Sequence, residues 1–257
     1  MLLTRRHLAT CTSRLTLLAI LVAALAGCQG ISGIQPVSQV RVIDASPDSP
    51  ALDIHQTSPQ SSPMALYNIG FGTVSSYVPV TAGATTHAAY SAGTQQQLAA
   101  TRGTLAAGSQ YTVLAGNVAA SLQMTVLKDQ SYPPPTGQVA LRFLNQATRT
   151  GAVDLYLLPP GTSPIAVQPL VSGAIFGANT GYINAPSGTY SIMAYPSGTV
   201  PLIAATPAYT GSQVAYPAGS VRTIILIDPP APQPDDPPTA PRTLQIITAN
   251  DYDAAAN

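Results

Sequence analysis

Apolar positions along this chain come in short runs separated by Gly, Pro, Ser and Asn, a spacing that suits strands and turns rather than helices. Residues 40–55, VRVIDASPDSPALDIH, set the pattern. An apolar strand leads into a Ser-Pro-Asp-Ser-Pro turn, and a second strand follows in which Leu52 and Ile54 alternate with Asp53 and His55. Further strands are predicted at residues 64–69, 76–80, 84–90, 110–115 and 122–127, each bounded by turn residues. Residues 95–100 fit one helical turn or an irregular connection, because periodicity does not discriminate at that length. The 25 Pro and 20 Gly interrupt every long window, which excludes long helices.

The pattern then starts again. LRFLNQATRTGAVDLY, residues 141–156, places Arg142 and Asp154 where the first copy has Arg41 and Asp53, at an offset of 101. Phe71, Tyr77, Gly83, Tyr90 and Gly93 return as Phe176, Tyr182, Gly188, Tyr195 and Gly198 at 105. Thr112 returns as Thr223 at 111, and Leu122 as Leu244 at 122. The offset grows only where loops are expected. Two units of about seven short strands predict an all-β chain of two tandem antiparallel, immunoglobulin-like β-sandwiches. Their expected bounds are residues 39–129 and 138–250, joined by a semi-rigid Pro-rich linker at 130–137. Residues 228–241, DPPAPQPDDPPTAP, read as an insertion before a last strand at 242–248. The tail, 251–257, is expected to be frayed and solvated, with Asp251 and Asp253 in it.

Composition narrows the class. Hydrophobic residues make up 46% and charged residues only 8%, so the chain is read as folded rather than disordered. There is no Trp and no Glu, and Lys128 is the single lysine. The start, with Arg5, Arg6, His7 and Arg14, precedes an apolar run at residues 15–26 that is shorter than a transmembrane helix requires. Residues 1–27 therefore read as a signal peptide. Leu25-Ala26-Gly27-Cys28 resembles a lipobox, so Cys28 is expected to become the new amino terminus and to carry lipid, palmitate included, on a tether at 28–38. The pair Arg5-Arg6 also suits twin-arginine export, but the plain basic region of a general secretory signal is the preferred reading. Cys11 falls in the discarded segment, leaving no internal disulfide in the mature chain. Removing the leader leaves a net charge of about −3 and no basic stripe, which argues against nucleic-acid binding.

VRVIDASPDSPALDIH, GFGTVSSYVPVTAG and QYTVLAG resemble the bacterial domain of unknown function (DUF) family 4397. The second unit departs from the pattern where residues 145–151 replace the Asp-Ala-Ser-Pro-Asp-Ser-Pro turn, while YINAPSGTY and VRTIILID fit. The resemblance implies an exported or envelope-attached tandem β-domain and carries no catalytic residues with it.

Candidate chemistry is thin. After leader removal only His55 and His87 remain, without counterparts in the second unit, and no G-x-S-x-G elbow is present. No catalytic, cofactor or metal residue is therefore assigned. Asp44, Asp48 and Asp53 cluster at the first turn and are weighed as calcium ligands, but the spacing is not that of an EF-hand, and the turn-forming reading is preferred. Arg41 with Asp53, and Arg142 with Asp154, read as a partly buried ion pair or as separate hydrogen-bond anchors of the opening strands. Tyr67, Tyr132, Tyr209 and Tyr216, which do not repeat, are candidates for recognition, whereas Tyr77/Tyr182 and Tyr90/Tyr195 are read as fold residues. The expectation is a lipid-anchored, non-enzymatic envelope protein, periplasmic or surface-exposed, whose β-sandwiches serve as an interaction or structural module with an envelope protein or glycan partner. The alternative is an envelope hydrolase or carbohydrate-processing protein with an unrecognised site.

Overall fold

The computed structural model describes residues 36–59, 61–202, 205–232 and 243–253. Cys28 and the leader lie outside the described residues, as does most of the proline-rich insertion. The fold is all-β. In the first repeat the strands are β1 (Val37–Asp44), β2 (Leu52–Ser58), β3 (Ser61–Ile69), β4 (Val78–Thr81), β5 (Gly83–Ser91), β6 (Gln97–Leu105), β7 (Gln110–Gly116) and β8 (Gln123–Lys128). They form two four-stranded sheets, ordered β4-β1-β7-β8 and β3-β2-β5-β6.

The second repeat follows the same plan with β9 (Gln138–Asn145), β10 (Val153–Leu158), β11 (Val171–Ala174), β12 (Asn179–Pro186), β13 (Gly188–Pro196), β14 (Tyr209–Tyr216), β15 (Val221–Ile227) and β16 (Gln245–Tyr252). Its sheets run β12-β9-β15-β16 and β11-β10-β13-β14, the first pair of sheets strand for strand. One detail departs from a purely antiparallel sandwich. The opening strand of each unit pairs in parallel with the penultimate one, β1 with β7 and β9 with β15.

Alternation explains where the cores sit. Val40 and Val42 of β1 face Leu52 and Ile54 of β2 inside the first sandwich, and Val139, Leu141 and Phe143 take the same part in the second. The intervening residues are not exposed. Ile43, Leu114, Leu144, Ile225, Ile227 and Ile247 make a further apolar cluster in which β1 and β7 meet β9, β15 and β16. The sheets holding β1 and β9 are thus inner sheets, whose central strands β1, β7, β9 and β15 are buried on both faces, and the sheets holding β2 and β10 are outer ones. A strand buried on both faces reads as a near-continuous apolar run, which is why VRVID and TIILI show no polar alternation. Both sandwiches belong to one compact unit. A fully buried Ile or Leu contributes roughly 1.5–3 kcal/mol, so the seam joining the sandwiches is a sizeable part of the stability.

Three local expectations change. Residues 97–105, partly read as helical or irregular, form β6, an edge strand pairing with β5 from Gly83 to Tyr90. Residues 251 and 252 of the expected frayed tail are instead the end of β16, with Asp251 4% exposed, and residues 254–257 lie outside the described residues. Among the described residues each unit has eight strands, because β6 and β14 each complete an outer sheet.

Candidate functional site

Arg41 and Arg142 are each 2% exposed, charged side chains placed in the seam between the sandwiches. Arg41 Nε donates to Thr112 Oγ1 at 2.9 Å, its Nη1 to the Asn250 carbonyl at 2.8 Å, and its Nη2 to Asp251 Oδ1. Arg142 repeats this set with Thr223 at 2.9 Å, the Lys128 carbonyl at 3.2 Å and Asp129 Oδ1 at 2.6 Å. Each guanidinium lies 4.8 Å from a tyrosine ring centroid, Tyr77 for Arg41 and Tyr182 for Arg142. The Tyr77 hydroxyl donates to Asp129 and the Tyr182 hydroxyl to Asp251, both at 2.8 Å. Thr112 and Thr223 complete the carboxylates at 2.7 and 2.6 Å.

The repeats therefore exchange partners. The arginine of each sandwich pairs with the aspartate of the other, while Tyr and Thr hold that aspartate from its own side. Burial pushes the Asp251 carboxyl above its ordinary value, against the pull of Arg41 and the Thr223 hydrogen bond. Burial also pushes both tyrosine hydroxyls well up, so they remain donors.

Asp53 is not the partner of Arg41. Its Oδ1 accepts the Asn68 N–H at 2.8 Å and its Oδ2 the Gly93 N–H at 3.0 Å, and these bonds hold the carboxyl below its ordinary value. Asp154 accepts from Gly173, Gly198 and Ser197 at 2.7–3.0 Å; burial opposes its ionisation, but these donors outweigh it and lower its pKa. Asn68 at φ 57° and Gly173 at φ 64° sit in the left-handed region, so each carboxylate pins a bulged residue beside its strand. The two aspartates are the separate anchors of the opening hairpins. The other acids of the first turn diverge from Asp53. Asp44 accepts from the Ser46 N–H and the Ser49 hydroxyl, and Asp48 from the Ala119 N–H. All three act on turn and loop donors, and among the described residues no group of three or more His, Cys, Asp or Glu is arranged to hold a metal.

His55 and His87 occupy opposite faces of one outer sheet. His87 points inward and is fully buried, with no hydrogen-bond partner for either ring nitrogen among the described residues, and burial pushes it down to about 4. His55 points outward, its ring 4.6 Å from that of Tyr90 and 6.3 Å from that of Tyr67. The register of β2, β5 and β6 sets rows across this outer face: Thr57–Thr86–Arg102, then His55–Ala88 beside Ala100, then Asp53–Tyr90–Gln97. Two shallow clefts, about 780 and 650 Å³, share Thr57, Thr86 and Arg102 and so run together at that cation.

The same face of the second sandwich is treated differently. Tyr156 and Tyr195 replace the His55–Tyr90 pair, at 5.7 Å and edge to face. They are 5% and 3% exposed, packed with Leu158 under Val167, Met193 and Ala205. Loop residues Val167 and Ala205 pack over the tyrosine pair there and leave a smaller cleft of about 390 Å³ beside Met193, Tyr195 and Gln213, whereas the first sandwich keeps its ring pair open to the larger clefts.

Against this geometry, a family model for a domain of unknown function (DUF4397) matches residues 38–156. That match spans a little under half of the chain and supports assigning this stretch to the DUF4397 family. No curated protein matches the chain. Solved structures similar to it include one described as "Alpha-glucan binding by a streptococcal virulence factor", 11% identical, covering 73% of this chain and 92% of that one, with a TM-score of 0.25. Another is a family 26 carbohydrate-binding module of Eubacterium rectale in complex with maltoheptaose, 9% identical, covering 74% and 91%, at 0.22. A third is a putative cell adhesion protein of Bacteroides fragilis, 10% identical, covering 85% and 100%, at 0.15.

The DUF4397 match takes in Arg41, Tyr77, Thr112, Asp129 and Arg142 of the seam and the whole open face, and ends within β10. Of the tyrosines proposed for recognition, Tyr67 and Tyr132 are exposed at 69% and 65%, but Tyr216 is a core residue and Tyr209 packs against that core. Tyr90, read as a fold residue, lines the open face. Asp129 was the missed member of the network, although Asp129 and Asp251 obey the same offset of 122 as Leu122 and Leu244.

Proposed function

We propose that this chain is a non-enzymatic binding module of the bacterial cell envelope, anchored by lipid on Cys28 and engaging its ligand through the open face of the first sandwich. The contrast between the two outer faces carries the reading. Two sandwiches with the same topology differ in that one covers its Tyr156–Tyr195 sheet face with apolar loop residues, while the other leaves His55, Tyr67, Tyr90 and a row of threonines uncovered. Rings beside hydroxyls form an amphipathic platform suited to recognition. The placement of His55 and His87 on opposite faces of one sheet keeps them from sharing a site. The lipobox-like Leu25-Ala26-Gly27-Cys28 supports the anchor, since several acyl chains hold a domain durably where one does not.

Fractionation of cells producing wild type and Cys28→Ser tests the anchor: wild type in membranes and the variant released is the expected result, and a variant retained in membranes overturns it. A hydrolase screen on the purified mature protein is expected to show no turnover. Turnover abolished by His55→Ala overturns the non-enzymatic reading.

A further inference from the structure

We propose that the open face of the first sandwich binds a glycan bearing carboxylate groups, with Arg102 as the carboxylate-binding residue; this rests on the reading of that face as the ligand surface. Charge in this molecule is scarce and mostly satisfied. Arg41 and Arg142 are sealed in the seam, and Arg222 pairs with Asp253. Arg102, like Lys128 and Arg149, is exposed, and no side-chain hydrogen bond or ion pair holds it among the described residues, but of these three it alone lines the clefts. It stands where the two clefts join. Asp53, the one acid in these rows among the described residues, is 7% exposed and already takes two backbone N–H groups, so it neither neutralises Arg102 nor repels an incoming anion strongly.

The rest of the face sets the class of anion. Ala88 and Ala100 give a flat floor, and Thr57, Thr86 and Thr104 line it with short hydroxyls. His55 stands one row along from Arg102, at the β2 end of the Ala88–Ala100 floor, and Tyr90 stands two rows along, four residues beyond Thr86 on β5. Rows on one face are roughly 7 Å apart, so cation and ring are separated by about the length of two or three sugar units. A guanidinium fork pairs a carboxylate with two parallel hydrogen bonds, hydroxyls exchange hydrogen bonds with ring hydroxyls, and an aromatic ring covers an apolar sugar face. A short inorganic anion would use only the first of these features. An extended polymer such as nucleic acid needs several cations in a row, and here there is one.

The test uses the full mature protein with polygalacturonate and alginate, methyl-esterified polygalacturonate, and a neutral α-glucan, read by affinity electrophoresis and calorimetry. The expected result is binding to an acidic polymer, weakened by salt and lost for its methyl ester. Arg102→Gln should weaken it about tenfold, as loss of a charge-assisted pair implies, with Tyr90→Ala also weaker and Arg149→Gln unchanged. Unshifted melting of each variant shows that the fold is intact. Equal binding of the ester or of the α-glucan overturns the carboxylate assignment, as does wild-type affinity in Arg102→Gln. Binding to neither acidic polymer overturns the proposal, and if the protein is then still membrane-bound and without turnover, the broader reading of an anchored binding module stands.

Discussion

At the scale of single residues, the repeat supplies its own controls. Asp44 and Asn145 occupy matching positions, and each accepts an N–H from two residues on, Ser46 and Ala147. The Asn145 amide also donates to the Ala174 carbonyl at 2.9 Å, a bond that an ionised aspartate has no proton to make. Burial pushes the Asp44 carboxyl up to about 7, over the opposing hydrogen bonds from Ser46 and Ser49. A folded pKa above the unfolded one means stability is full below about pH 4 and is lost as pH rises through 7. His87 acts in the other direction. With its folded pKa pushed down to about 4, its contribution is full above the unfolded value and is lost as pH falls toward 4. The two slopes oppose each other in the wild type. Asp44→Asn should therefore raise the melting temperature at pH 8, by on the order of 2–4 kcal/mol of stability, and change it little at pH 4. It should also lay bare the acid-side loss due to His87, which His87→Leu removes. Melting curves across pH 4–8 that are parallel for wild type and Asp44→Asn would exclude this account.

At the scale of elements, the strands that matter most are those buried on both faces, and the charges they carry face the neighbouring sandwich. Removing Arg41 leaves the Asp251 carboxylate among Thr223, Tyr182 and Asn250 without its cation. Stranding a buried charge costs ~3–5 kcal/mol, whereas replacing both partners by apolar groups is much less harmful. Arg41→Met should lower the denaturant midpoint accordingly, and Arg41→Met/Asp251→Leu should recover part of the loss. A double variant with Asp53→Leu should recover none, because Asp53 serves Asn68 and Gly93 instead. The hairpins, the turns and the two-fold plan were legible from Arg41/Arg142, Asp53/Asp154 and the shared Gly and Tyr landmarks. The ion-pair partners were not. Spacing within a repeat pointed to Asp53, twelve residues away, and strand alternation alone does not say that the far face of β1 is covered by a second domain. The composition of ANDYDAAAN also disguised the end of β16, where small residues fit because Ala249 lies in the seam. The open face was hidden for a related reason: Tyr90 and Tyr195 repeat, but only one of them is covered, and covering depends on loops that the repeat does not share.

At the scale of the whole molecule, the seam is related to itself by the repeat. Ile43 and Leu144 correspond, as do Leu114 and Ile225, and all four lie in one apolar cluster with the Arg–Asp exchange beside it. This is the self-complementary logic of a two-fold interface, built here inside a single chain. Perfect symmetry is broken where sizes are traded. Gly116 makes room for the Gln146 amide, and a Cβ there would stand 2.1 Å from Gln146 Oε1, while the matching positions hold Ile227 and Ala45. The central strands of the inner sheets have no solvated face to fall back on, so opening one sandwich uncovers apolar surface and buried charge on the other. The two should consequently unfold together. Calorimetry of the mature protein is expected to give one transition, with the van't Hoff enthalpy matching the calorimetric one for the pair. Arg142→Met, which strands Asp129 across the seam, should lower that single transition as a whole, because the lost contact belongs to both halves. Two resolved transitions in the wild type, or a shift confined to one half in Arg142→Met, would show that the sandwiches are independent domains that merely touch.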